Sequence, residues 1–250
     1  MPERENTSGN MSMQSALNNP QKALMLLLKQ EFGVKYFVET GTHHGKTTLW
    51  ASQRFERIYT VEGSQVFYEQ TSRKLAHLSN IKFSLGSSRE KLPSIVAELD
   101  APAIFWLDAH WMGDSSTYDK DECPILEEID VINSSSFDHF IFIDDARLFL
   151  SPPPEPLSID GWPTIATILE KLKRRERYIV VFHDTIIAVP RLAGRFTADY
   201  CQRINTIALL KDKKEKNRLV NRTEKRLKRI LYLCLARIKA LLGQGKIEQA

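Results

Sequence analysis

Residues 36–50 read YFVETGTHHGKTTLW. An apolar run passes through a glycine-punctuated turn into a stretch of helical character, so the segment reads as strand, loop and helix. Gly41 and Gly45 let the backbone approach a ligand closely. A helix beginning near Lys46 points its free N–H groups toward the same space, where an anion or a carboxylate can sit. The sequence GKTT resembles the end of a P-loop, but a P-loop needs four residues between its first glycine and Gly-Lys-Ser/Thr. Only three separate Gly41 from Gly45. The dinucleotide pattern GxGxxG also fails, because position 43 is His. What remains is Glu39-Thr-Gly41-Thr42-His-His-Gly45 at a strand end.

Outward from this segment, short apolar runs alternate with amphipathic stretches. Strands are expected over 36–39, 58–62, 81–85, 103–108, 139–144, 178–182 and 185–189, and helices over 20–32, 46–54, 65–78, 89–98, 124–132 and 163–174. IFWLD and FIFID are continuous apolar runs, as expected of parallel strands covered on both faces. Only His183 and Asp184 separate the last two runs, which therefore form an antiparallel hairpin at the sheet edge. The expected fold is α/β: a Rossmann-like, doubly wound, seven-stranded sheet, mostly parallel, ending in an antiparallel hairpin.

In such a sheet the ligand crevice lies beyond the carboxyl ends of the strands. Glu62, in RIYTVEGS, ends the second strand 21 positions after Gly41. A carboxylate there can accept hydrogen bonds from both ribose hydroxyls of an adenosine ligand, or it is a solvated loop residue. IFWLDAHW places Asp108 at the end of the fourth strand, and FIFIDDARLF places Asp144 and Asp145 at the end of the fifth. Three converging carboxylates would repel and raise one another's pKa. A hard divalent cation such as Mg²⁺ relieves that repulsion and can make a substrate hydroxyl easier to deprotonate. The alternative is that these aspartates cap helices or turns.

The chain resembles class I S-adenosylmethionine-dependent methyltransferases over about residues 34–190. The resemblance implies that Glu39, Gly41, Thr42 and Gly45 hold the methionine end of the cofactor and that Glu62 binds its ribose. It also implies that Ser87 and Ser88, in the turn after the third strand, meet the adenine. The acidic pattern resembles metal-dependent O-methyltransferases of the catechol and macrocin or sugar types, which implies metal ligation by Asp108, Asp144 and Asp145. His110 stands where the sugar-modifying branch has its general base, and is read as a base, a metal ligand or a hydrogen-bonding neighbour. The implied acceptor is a hydroxyl of a sugar, glycan or glycosylated metabolite. Trp111, Asp114 and Tyr118 lie in a polar connection that reads as a lid or as an ordinary loop.

Charge divides the 250-residue chain. Residues 211–250 carry 13 Lys/Arg and 4 Asp/Glu, a net of +9, so the overall +4 leaves −5 for the first 210. We expect a mobile arm over 1–19, a methyltransferase-like domain over 20–210 and a basic amphipathic helix over 211–242. Leu227, Ile230, Leu231, Cys234, Leu235, Ile238, Leu241 and Leu242 recur at helical spacing there. That stripe suits packing on its own domain or on a second copy in a homo-oligomer, or peripheral contact with an anionic membrane. No stacking motif favours nucleic acid. Three cysteines without CxxC spacing point to a reducing compartment, and the polar N-terminus does not read as a signal peptide, so a cytoplasmic location is expected. A hydrolase or hydroxylase-like relative, a P-loop phosphotransferase and a non-catalytic scaffold are the competing readings.

Overall fold

The computed structural model describes residues 17–109 and 123–244. Seven strands form one sheet: β1 (Tyr36–Thr40), β2 (Arg57–Glu62), β3 (Ile81–Leu85), β4 (Ala103–Leu107), β5 (Phe140–Ile143), β6 (Arg177–Phe182) and β7 (Thr185–Pro190). Their order is β3-β2-β1-β4-β5-β7-β6. The first five are parallel, and β7 inserts antiparallel between β5 and β6. The Rossmann-like doubly wound sheet and its terminal hairpin are thus both present.

Burial follows position in the sheet. Every residue of β4, β5 and β7 is buried, whereas the edge strands β3 and β6 are mostly half-buried. Helices cover both faces of the centre, so its strands carry apolar side chains in both directions. His183 and Asp184 join β6 to β7 with φ of 46° and 61°. Two successive positive φ values match the right-handed twist of a tight hairpin.

The helices take their bounds from local chemistry. In α1 (Pro20–Phe32), the Asn19 side chain accepts from the Lys22 N–H, Pro20 occupies the first turn and Gly33 ends the helix in the left-handed region. α2 (Lys46–Ser52) follows the glycine loop. α3 (Gln65–Lys74) is capped by Ser64, and α4 spans Ser88–Glu98. α5 (Ile125–Asn133) is followed by the short α6 (Arg147–Leu150), which the sequence pattern did not suggest. α7 (Ile165–Leu172) is capped by Thr164.

The final helix, α8, runs Gly194–Gln244, starting well before the expected tail at 211. Two compact units divide between Cys201 and Gln202. Leu209, Leu210 and Leu227 are exposed on α8. Among the described residues no helix is long and apolar enough to cross a membrane.

The amino-terminal edge of the sheet holds a buried histidine. His139 Nδ1 accepts from the Ala103 N–H at 3.0 Å, and its Nε2 meets Ser135 Oγ at 2.8 Å. Burial, aided by the charges of Arg177 and Arg175, pushes its pKa down to about 4. The folded state therefore keeps this ring neutral while the unfolded chain takes up a proton below about pH 6.5. Stability falls as pH drops from about 6.5 to about 4, by up to about 3 kcal/mol from this group. His139→Gln should be less stable at pH 7 but lose less between pH 7 and pH 4, as read from urea unfolding midpoints.

Candidate functional site

The carboxyl ends of β1, β2, β4 and β5 line up because the parallel ladder continues past the strands. Asp108 N–H donates to the Thr40 carbonyl at 3.1 Å, and Asp144 N–H to the Leu107 carbonyl at 3.0 Å. Gly41 and Thr42 both donate to the Val61 carbonyl, at 2.9 and 3.3 Å, folding the loop after β1 toward β2. Gly41 has φ of +84°, and a Cβ there would stand 2.2 Å from the Asp108 carbonyl oxygen. Only glycine satisfies both the left-handed backbone and this close approach to β4. Gly45, at φ +68°, presses on Thr71 in the same way and starts α2.

His43, though not a glycine, takes the left-handed conformation, with φ of 46°. Hydrogen bonds at both of its backbone groups hold it there. Its N–H donates to Glu62 Oε2 at 2.6 Å, and its carbonyl accepts from Thr71 Oγ1 at 2.6 Å. Its ring lies 4.0 Å from that of His44 and 4.4 Å from that of Phe67, centre to centre. Glu62 Oε1 accepts from the Ser64 N–H at 2.9 Å. Those two bonds use part of a carboxylate's capacity of about four.

Glu39 is 2% exposed. Its Oε2 accepts from the hydroxyls of Thr48 and Thr60, the latter at 2.8 Å, and Thr60 meets Thr42 Oγ1 at 2.6 Å. Burial pushes the Glu39 pKa up to about 7, against the two threonine hydrogen bonds and Lys22. At β3, Ser87 opens α4, and its carbonyl accepts from Glu90 and Lys91 N–H. Ser88 is 5% exposed, and its Oγ is buried without a hydrogen-bond partner among the described residues. A ligand polar group would satisfy it.

The three aspartates are arranged otherwise than expected. Asp108 and Asp144 do occupy neighbouring strand ends. Asp145, at φ 54°, turns the chain so that Arg147 Nη1 donates to its Oδ1 at 2.6 Å. The same guanidinium pairs with Asp184 in the β6–β7 turn, and the Arg147 N–H donates to Asp184 Oδ1 at 2.8 Å. Among the described residues no group of three or more His, Cys, Asp or Glu side chains could hold a metal ion. The expected Mg²⁺ ligand set of Asp108, Asp144 and Asp145 therefore does not fit: one member is neutralised by a guanidinium. His110, Trp111, Asp114 and Tyr118 lie outside the described residues.

Sequence reasoning missed four contributors. Thr60 is the register partner of Glu39 on β2, which strand alignment could have revealed. Thr48 stands nine positions after Glu39, in the first turn of α2. Arg147 follows the Asp-Asp pair directly enough to suggest an ion pair. Lys22 gave no signal, because α1 is remote in sequence from the strand ends it serves. Its ammonium lies 5.1 Å from the Trp50 ring centre; burial lowers its pKa, and the charges of Glu39 and Asp144 act in the opposite sense.

No protein-family model matches the sequence, and no curated protein does. Solved structures of similar shape include the SAH-bound methyltransferase PaMTH1 of Podospora anserina, at 15% identity and a TM-score of 0.48, covering 72% of this chain and 79% of that one. Cofactor-bound Rv0187 from MTB matches at 14% identity and a TM-score of 0.46, with 74% and 83% covered. A SAM-dependent methyltransferase from Aquifex aeolicus matches at 14% and 0.40, with 71% and 93% covered. Likeness at this level assigns no activity; the functional reading rests on the residues of the site.

The packing of Gly41 makes it sensitive. Gly41→Ala should destabilise the fold by at least about 2 kcal/mol, read from denaturant midpoints. Glu39 gives a second test. Its folded pKa lies above the unfolded value, so the unfolded chain releases its proton first as pH rises. Stability falls from about pH 4.5 to about pH 7, by up to about 3 kcal/mol from this group, and then levels off. Glu39→Gln should remove that component, so the variant gains on the wild type between pH 5 and pH 8 in paired urea melts.

Proposed function

We propose that this chain is an S-adenosylmethionine-dependent methyltransferase. The observation that carries the reading is the hydrogen bond from His43 N–H to Glu62. It joins the glycine loop after β1 and the acid after β2 into one preorganised crevice at the carboxyl edge. Glu62 retains acceptor capacity for ribose hydroxyls, and the orphaned Ser88 Oγ marks where a further polar group would be satisfied. Glu39, Gly41, Thr42 and Gly45 would hold the methionine end, with Ser87 and Ser88 near the adenine. Bound there, the cofactor supplies an electrophilic methyl group.

The chain then has to bind, orient and deprotonate an acceptor. We take the acceptor to be a hydroxyl, on a sugar, glycan or glycosylated metabolite, on the strength of the sequence resemblance. His110, two positions after Asp108, is the proposed holder of the hydroxyl proton, since an imidazole can accept one near neutral pH. No step is assigned to a metal, because the aspartates present do not form its ligand set.

Isothermal titration calorimetry tests the assignment. The folded protein should bind S-adenosylmethionine and S-adenosylhomocysteine and should not bind ATP. Glu62→Gln should weaken both by about tenfold or more, as expected for losing hydrogen bonds to a charged acceptor. Folded wild-type protein with no affinity for either methionine-derived ligand would sink the reading, and tight ATP binding would redirect it to phosphoryl chemistry.

A further inference from the structure

The acidic strand ends face cations that belong to the chain itself. Arg147 stands two residues after Asp145 and spans from it to Asp184, so a single guanidinium binds β5's exit to the hairpin turn. The arrangement is framed by backbone: Ala146 N–H donates to the Asp184 carbonyl at 2.9 Å, and Leu148 N–H to the Asp145 carbonyl at 2.9 Å. Lys22 comes from α1, remote in sequence from the strand ends. The start of α1 is fastened to the same hairpin, because Gln21 Nε2 donates to the His183 carbonyl and, at 3.3 Å, to Thr185 Oγ1. Tyr200 OH donates to the Pro20 carbonyl at 2.8 Å, fixing the same turn of helix. That placement sets the Lys22 ammonium over the Trp50 ring, 5.1 Å from its centre, where the charges of Glu39 and Asp144 also act on it. Burial lowers the Lys22 pKa, while the two carboxylates act in the opposite sense. Desolvation of this kind is tolerated where negative charge lies close by.

We propose that Arg147 and Lys22 supply, from within the chain, the positive charge that a divalent cation would bring to these strand ends, so that the site works without a metal. The inference rests on the methyltransferase reading for what the site does, but its electrostatic content stands on the side chains alone. A cation approaching Asp145 must displace a two-carboxylate guanidinium bridge, and one approaching Asp144 enters the field of the Lys22 charge. Both repel it. In this arrangement Arg147 is a positioning residue: it holds Asp145 and ties the exit of β5 to the hairpin turn, while Lys22 adds positive charge to the crevice.

The test is a MnCl₂ titration of the full chain followed by electron paramagnetic resonance of free Mn²⁺. S-adenosylhomocysteine calorimetry and thermal melts are run on the same samples. Wild type should show no saturable Mn²⁺ binding in the micromolar range. Arg147→Gln and the double variant Lys22→Gln/Arg147→Gln should bind Mn²⁺ at least about tenfold more tightly than wild type, because the repelling charges are gone. Arg147→Lys, which keeps the cation, should remain like wild type. Micromolar Mn²⁺ binding by wild type overturns the proposal, and that arm needs no variant to fold. Folded Arg147→Gln and double variants that bind Mn²⁺ no better than wild type also overturn it. S-adenosylhomocysteine binding is read separately: its absence beside the expected Mn²⁺ pattern removes the cofactor assignment and leaves the charge substitution standing.

Discussion

The hydrogen bond between His43 N–H and Glu62 is the contact on which the rest of the crevice depends. It spans two successive strand-to-helix connections, so neither loop can move alone. With the Thr71 bond to the His43 carbonyl, it holds His43 in a left-handed backbone, a conformation that costs a non-glycine residue on the order of 1 kcal/mol or more. The bond also fixes where Gly41 lies, since the loop between Gly41 and Gly45 is only three residues long. Gly41 in turn rests on the Asp108 carbonyl. The exits of β2, β1 and β4 are thereby linked by contacts that tolerate no added side-chain atom at Gly41. Preorganisation of this sort lowers the ordering cost of binding a flexible ligand.

Much of the fold was legible because the strongest signals were local. IFWL and FIFI could be buried only as covered strands, and both are. The two-residue spacing of His183-Asp184 allowed only a hairpin. What escaped was non-local or weakly periodic. Phe196, Tyr200 and Ile204 recur at four-residue spacing, but the intervening polar residues hid the helix that runs on into the tail. The site divides the same way. Glu39, Gly41, Gly45 and Glu62 stood out as candidates by strand-end position and turn chemistry, whereas Ser88 was a candidate through the family resemblance alone. The role of Arg147 depends on the left-handed turn at Asp145, and that of Lys22 on where α1 docks. Neither a turn handedness nor a docking position can be read from residue spacing. The aspartate triplet misled for a related reason: strand-end placement establishes that carboxylates are near one another, and leaves open what compensates them.

Compensation differs from one acid to the next, and the difference has chemical consequences. Burial drives Glu39 toward its neutral form, with two threonine hydroxyls pulling the other way. Glu62 is held by the backbone N–H groups of His43 and Ser64, which leave carboxylate lone pairs for a ligand. Asp145 is paired with a guanidinium. A group poised near pH 7 responds to a bound cation, because added positive charge favours ionisation. Positive charge brought close to Glu39 would therefore shift it toward its ionised form. The body's net negative charge is thus distributed among residues whose charge is set one at a time by burial, backbone or a neighbouring cation. A net count for the body predicts neither which acids are ionised nor which remain open to a ligand.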